Sequence, residues 1–362
     1  MRLHVLTPGF ISPNTRAFLF PLIVWRRQLA AAGIEVRLCN HISDALMDCD
    51  AVLVDSKFHR DRWREDAEGV LQELQSLADR TTLVYCDTTD STGWVQSEVL
   101  PVVDLYLKSQ LLRDRSGYLQ PLYGHRLYTD YYHRRHGVED DIPEWSTPVP
   151  DPASLEKLRL SWNSGLADYS LFGPYRMALY MRLPVRGLLR FPAPIAVPGG
   201  SRPHPVASRF ATQYTRNTVG WQRQRIHQKL TGHAQTGKIS RRLYFSELSK
   251  SKVVVSPFGF GEINYKDYEA ILNGALLLKP DMSHLTTWPD LFEAGETMLT
   301  HSWDLNDLLS VLEQAVGESD KYIGLAEEAQ ARYRRHTTAA GAAELFAERL
   351  AKLLRLDECA HA

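Results

Sequence analysis

The first hundred residues alternate short, largely apolar runs with helix-length amphipathic stretches, and few folds accept that order. Residues 3–6, 34–38, 51–54, 82–85 and 103–107 read as strands. Residues 15–32, ended by Gly33, and 61–79, with Val70, Leu71, Leu74 and Leu77 on one side, read as helices. Strands that stay apolar on both faces must be covered on both, which implies a parallel sheet between helical layers. The expectation is an α/β, Rossmann-like half-molecule.

A chain of 362 residues has room for a second such unit. Residues 110–185 are less regular and rich in aromatics, an insert within a first lobe that spans 1–190. Six prolines (184, 192, 194, 198, 203 and 205) and the Gly199-Gly200 pair follow. Such a stretch cannot be a long helix or a central strand, so 191–205 reads as a hinge. Alternation then resumes over a second lobe, 206–335. Helices are expected at 219–230, 241–250, 265–273 and 305–316, and strands at 253–256 and 275–278. An Ala-, Glu-, Leu- and Arg-rich tract, 322–356, predicts a helical C-terminal tail (336–362).

Several classes fall away. Lys plus Arg (42) nearly cancels Asp plus Glu (43), so no global charge recruits nucleic acid or an anionic surface. The longest apolar run, 17–25, is under half of the ~20 residues a membrane span needs. The N-terminus is too short in apolar residues for a secretory signal. Cys39, Cys49, Cys86 and Cys359 are scattered, which fits a reduced, cytoplasmic protein. The 13 histidines show no tight ligand spacing, and no P-loop, nucleophile elbow or dinucleotide fingerprint follows the first strand.

The most informative stretch runs from Val253 to Pro280: strand, Ser256-Pro257, a turn with Gly259 and Gly261, a helix, Gly274, strand. Ligands of open α/β sheets bind beyond the carboxyl ends of strands. The glycines allow a ligand to approach the backbone, and a helix N-terminus offers N–H groups to an anion. Lys266 and Glu269 share one helix face, one suited to phosphate, the other to ribose hydroxyls. An ordinary βαβ unit with a helix salt bridge has the same pattern.

This stretch resembles the donor-binding core of GT-B glycosyltransferases, particularly the bacterial group 1 and spore-protein-like branches. The resemblance is tight over about 40 residues, from Ser256-Pro257 through Lys266 and Glu269-Ala270 to Gly274 and the apolar strand. It implies two Rossmann-like lobes facing across a cleft, with a C-terminal helical tail. It further implies that Glu269 holds a nucleotide ribose and that Lys266 lies near the donor phosphates, with Ser256, Gly259, Gly261 and Glu262 around them. The pattern departs at one place. Many retaining members have two Glu separated by seven residues, yet Gly261 stands eight before Glu269, and Glu262 is one place out of register. Stereochemistry therefore does not carry over.

Between Arg202 and Val253 eleven basic residues face a single acid, Glu247. Such a patch attracts a diphosphate. By the same resemblance, Arg209 and Arg216 are the expected phosphate ligands. A nucleic-acid face is the rival reading, though no reader motif accompanies it. For the base that takes the acceptor proton, Asp90 and Asp87 follow a first-lobe strand, and Asp168 lies in the polar loop 160–170 beside Trp162. The same Asp-Thr-Thr-Asp-Ser run is an excellent turn former, and Trp162 is as readily core as a sugar platform. The tract 177–197, with Arg182, Arg186 and Arg190 among apolar residues, is either interdomain packing or a contact for lipid headgroups.

The expected protein is a metal-independent glycosyltransferase without a cofactor, nucleotide sugar being its co-substrate. Its acceptor would be a saccharide or lipid-linked saccharide of cell-surface polysaccharide or lipopolysaccharide synthesis. No nucleic-acid partner is expected; peripheral contact at the inner membrane face is an open option. The alternative is a non-catalytic nucleotide-sugar or polysaccharide-binding protein on the same fold.

Overall fold

The computed structural model describes residues 1–354 except Arg186, Gly200 and Gln235. The end of the expected tail, with Cys359, lies outside the described residues. The first sheet holds β1 (Arg2–Leu6), β2 (Glu35–Cys39), β3 (Ala51–Asp55), β4 (Thr82–Asp87) and β5 (Leu105–Lys108). A short β6 (Gln110–Leu112) follows, and β7 (Leu158–Leu160) completes the sheet, all parallel in the order β2-β1-β3-β4-β5-β7. The second is a four-stranded parallel sheet of β8 (His204–Ala207), β9 (Ser251–Val255), β10 (Leu276–Pro280) and, after β11 (Leu285–Thr287), β12 (Leu299–His301). Its order is β12-β10-β9-β8. Two Rossmann-like lobes thus face each other across a cleft, as the alternation predicts.

Pro205 lies within β8, which is an edge strand, where a missing N–H breaks no central ladder. Two expected helices are each broken. The first ends at Val24, with Pro21 inside it, and a second turn-and-a-half runs Arg26–Ala31. The helical stretch 61–79 divides at Asp66, whose carboxylate accepts from Gly69 N (2.9 Å) and starts Ala67–Ala78. The C-terminal tract divides likewise into Ser319–Arg335 and Ala342–Leu353, around Gly341 at φ 88°.

The two lobes are fastened together. β6 of the first pairs antiparallel with β11 of the second. Asn163 donates from its side chain to Thr287 Oγ1 (2.9 Å) and Pro289 O (2.7 Å). The helix Ala342–Leu353 crosses back to the first lobe, where Phe346 packs on Trp25 (5.3 Å) and Trp162 (5.0 Å). The largest apolar cluster therefore runs through both lobes, from Leu3 and Leu19 to Val254, Tyr268 and Phe346.

Candidate functional site

The carboxyl edges of the two sheets meet at a cavity of about 220 Å³, lined by Asn14, Asp87–Asp90, Gln110 and Trp162–Ser164 on one side and Tyr214, Gly259–Gly261 and Tyr265 on the other. Asp90 is exposed in it, and the Asn14 amide donates to its Oδ1. No ion pair to Asp90 occurs among the described residues. It is a carboxylate free to meet a ligand.

Asp87 lines the same cavity in a different state. It is buried, accepts from Lys108 Nζ (2.7 Å) and Tyr106 Oη (2.8 Å) through Oδ2, and from Thr89 N (2.8 Å) through Oδ1. Burial pushes its pKa up, but the Lys108 ammonium outweighs that and holds it below the ordinary value. Asp87 is thus an internal ion-pair partner, not the base expected from sequence. Asp168 is corrected as well. It lies off the cavity, accepting from Arg176 Nε (3.0 Å), Ser170 N (3.0 Å) and Ser170 Oγ (2.7 Å). Trp162 is core: it stacks on Phe18 (5.0 Å) and donates to Phe18 O (3.1 Å).

The glycine turn does approach something closely, and at Gly261 that neighbour is the first lobe. A Cβ on Gly261 would lie 2.4 Å from Asp90 O, whereas one on Gly259 would meet Asn264 Oδ1 of its own lobe at 2.7 Å. Arg126 Nε donates to Phe260 O, and Tyr128 Oη to Gly259 O. Glu262 is also an interlobe contact, not a donor ligand. It is fully buried and accepts from Thr92 Oγ1 (2.8 Å) and Gln110 Nε2 (3.2 Å), with His284 Nε2 at 3.7 Å. Ser256 is engaged too, donating to Asp267, which pairs with buried Lys279 (2.8 Å). The first turn of the helix Tyr265–Leu272 is closed by an Asn264–Asp267 capping box, so fewer N–H groups face an anion than expected.

A second, larger cavity of about 690 Å³ lies within the second lobe, between the loop after β8 and that same helix. Arg209, Lys266 and Glu269 line it as expected, joined by Lys238, Arg241 and Tyr244, which the sequence reading passed over as site residues. Lys266 donates from Nζ to Arg209 O and sits 5.2 Å from the Phe210 ring centre. Burial, then repulsion from Arg223, pulls its pKa down to about 7. Glu269 is buried, which raises its pKa against the pull of Arg241 Nη1 at 3.1 Å. Arg241 also donates to Ser170 O (2.9 Å) and Leu171 O (3.0 Å), tying this wall to the first lobe. Arg209 is paired with Glu247 (2.8 Å).

Arg216 is not in this cavity. It pairs with Glu144 and, at 3.6 Å, Asp140, both from the first lobe's insert. Arg223 is buried against both the glycine turn and the loop after β8, which its place among eleven basic residues did not reveal. Its Nε donates to Phe258 O (2.6 Å), Nη1 to Ala211 O (2.9 Å), and its guanidinium lies 4.6 Å from the Tyr214 ring centre. It thereby ties Phe258, next to the glycine turn, to Ala211, which lines the larger cavity. No cluster of three or more metal-ligating side chains occurs among the described residues. Among them, too, no helix is long and apolar enough to cross a membrane. Cys39, Cys49 and Cys86 are free thiols.

No protein-family model and no curated protein sequence matches the chain. Among solved structures it is similar to Alr3699/HepE of Anabaena, in complex with UDP-glucose, at 11% identity over 97% of this chain and 99% of that one (TM-score 0.44). It is also similar to a glycosyltransferase of Rickettsia africae, at 9% identity over 98% of both chains (TM-score 0.45). A third is the pneumococcal O-GlcNAc transferase GtfA with UDP and GlcNAc, at 11% identity over 86% of this chain and 57% of that one (TM-score 0.41).

Proposed function

We propose that this chain is a glycosyltransferase that moves a sugar from a nucleoside-diphosphate sugar to a hydroxyl of a saccharide or lipid-linked saccharide acceptor. The observation that carries this reading is the cavity of about 690 Å³ in which Glu269 faces Arg209, Lys238, Arg241 and Lys266. A buried carboxylate is a bidentate acceptor for vicinal ribose hydroxyls, and convergent cations suit a diphosphate. The smaller interlobe cavity follows it along the loop after β8, with 209–213 on the larger cavity and Tyr214 on the smaller, and exposes Asp90. In this reading the nucleoside fills the larger cavity and the sugar points into the cleft.

Asp90 then takes the proton from the acceptor hydroxyl as its oxygen bonds to the sugar's anomeric carbon. The bond from that carbon to the diphosphate breaks, and the cations stabilise the charge on the departing nucleoside diphosphate. No step calls for a metal ion. Closed lobes exclude the water that would compete with the acceptor. Assembly of cell-surface polysaccharide or lipopolysaccharide on the cytoplasmic side is the destination this reading assigns.

The test is a thermal-shift panel of UDP, GDP, CMP, ADP and dTDP on wild type, Glu269→Ala and Lys266→Ala. Ligand at about 100 times its Kd stabilises by about 2.7 kcal/mol. One nucleotide that stabilises wild type alone supports the donor site. A response unchanged in both variants places the site elsewhere. Nucleotide binding without transfer or donor hydrolysis would select the non-catalytic alternative.

A further inference from the structure

The helix Gly173–Arg182 has an inner face that is fully engaged. Met177 is buried, Tyr180 packs edge-on against Phe10 (5.8 Å), and Arg176 holds Asp168. The outer face is apolar and bare. Phe172, Tyr175, Leu179 and Leu183 are 45–66% exposed there, and Met181 and Val185 near the helix's C-terminal end are exposed as well. Positions 172, 175, 179 and 183 follow the spacing of one helical stripe. Soluble monomers rarely leave so contiguous an apolar patch in water.

The charge around the stripe says what covers it. The helix and the segment that follows it, 169–197, contain no acidic residue and four arginines, at 176, 182, 186 and 190. Arg182 and Arg190 are exposed beside the stripe. Arg26 lies close enough to Tyr180 to oppose the rise in its pKa caused by burial. A second copy of this chain is a poor cover, because its own acid-free arginine rim would face this one. An anionic bilayer satisfies both features: aromatic and aliphatic side chains enter the headgroup–acyl boundary, and arginines meet phosphates.

We infer that the stripe Phe172–Tyr175–Leu179–Leu183, flanked by Arg26, Arg182 and Arg190, is an interfacial docking face for anionic lipid membranes. Docking has a structural consequence for the larger cavity. The carbonyls of Ser170 and Leu171, immediately before the stripe, hold Arg241 against Glu269. The lipid surface and the wall of that cavity are therefore joined through one short segment. The inference does not depend on the donor reading, since lipid binding needs no nucleotide.

Vesicle flotation tests it on the full chain, with phosphatidylcholine alone and with a phosphatidylglycerol admixture, at low and high salt. Wild type should float with the anionic vesicles, about tenfold more weakly with the neutral ones and in high salt. The Phe172→Ser/Leu179→Ser variant should lose about tenfold on both lipids. The Arg182→Glu/Arg190→Glu variant should lose affinity for the anionic vesicles only. All these side chains are exposed, so the melting temperature should stay at the wild-type value, which separates lost docking from misfolding. No flotation of wild type, or equal flotation of the serine variant, would overturn the inference. So would a lipid-free wild-type dimer that the serine variant converts to monomer, since the patch would then belong to a second copy.

Discussion

Under the proposed donor reading, Lys266 makes nucleotide binding answer to pH in a calculable way. Its ammonium has a pKa of about 7, because burial and Arg223 disfavour the charge. A diphosphate placed against Nζ supplies the missing counter-charge and returns the pKa towards the ordinary 10.5. The sign follows: the bound form holds more protons than the free form, so binding takes up a proton and weakens as pH rises. Above pH about 7 the Kd should climb about tenfold per pH unit, and between pH 6.5 and 8.5 by about 25-fold. Below about 6 it should be flat. Isothermal titration with the sugar-linked nucleotide is the cleaner assay, since its diphosphate has no proton of its own to gain in this range. Repeating it in buffers of different ionisation enthalpy should show about half a proton taken up at pH 7 and nearly one at pH 8.5. Lys266→Arg keeps its charge throughout and should give a flat profile. A wild-type Kd that does not move with pH, or a slope that survives in Lys266→Arg, would refute the reasoning.

Other consequences are simpler to read. Gly261→Ala puts a methyl 2.4 Å from Asp90 O and should cost about 1–3 kcal/mol in thermal unfolding; an unchanged midpoint would mean the lobes are not pressed together there. Gly324→Ala, in the helix Ser319–Arg335 with open space around it, should instead gain up to about 1 kcal/mol, and a loss would contradict that placement. Lys108→Met leaves the buried Asp87 without its cation and should lose about 3–5 kcal/mol in urea denaturation. Adding Asp87→Asn should recover much of that, whereas additive losses would deny the coupling. Transfer measured in EDTA should match the untreated rate, and activity restored only by a divalent cation would remove the metal-independent reading.

The sheets were legible in the sequence because burial on both faces leaves an unmistakable apolar run, as in Val253–Val255 or Val52–Val54. The segments that escaped notice lack such a run. β8 contains Pro205, and the helices Leu127–His136 and Gly173–Arg182 sit in an insert where aromatics obscure the helical period. At the site, the sequence put Arg209, Lys266 and Glu269 on the second lobe and Asp90 on the first; that the former three share one cavity and Asp90 lines another is legible only in the structure. The sequence could not show which charges are already neutralised by partners distant in the chain. Asp87, at the end of β4, and Asp90, in the loop after it, stand three residues apart and look interchangeable, yet the Lys108 side chain reaches the first and not the second. Glu262 and Glu269 differ the same way: Thr92 and Gln110, about 150 or more residues away, turn one into a seam between lobes. The other pairs with Arg241 (3.1 Å) on a cavity wall. Which partner distant in the chain each carboxylate meets decides whether it seals the lobes or lines a cavity, and local spacing is blind to that partner.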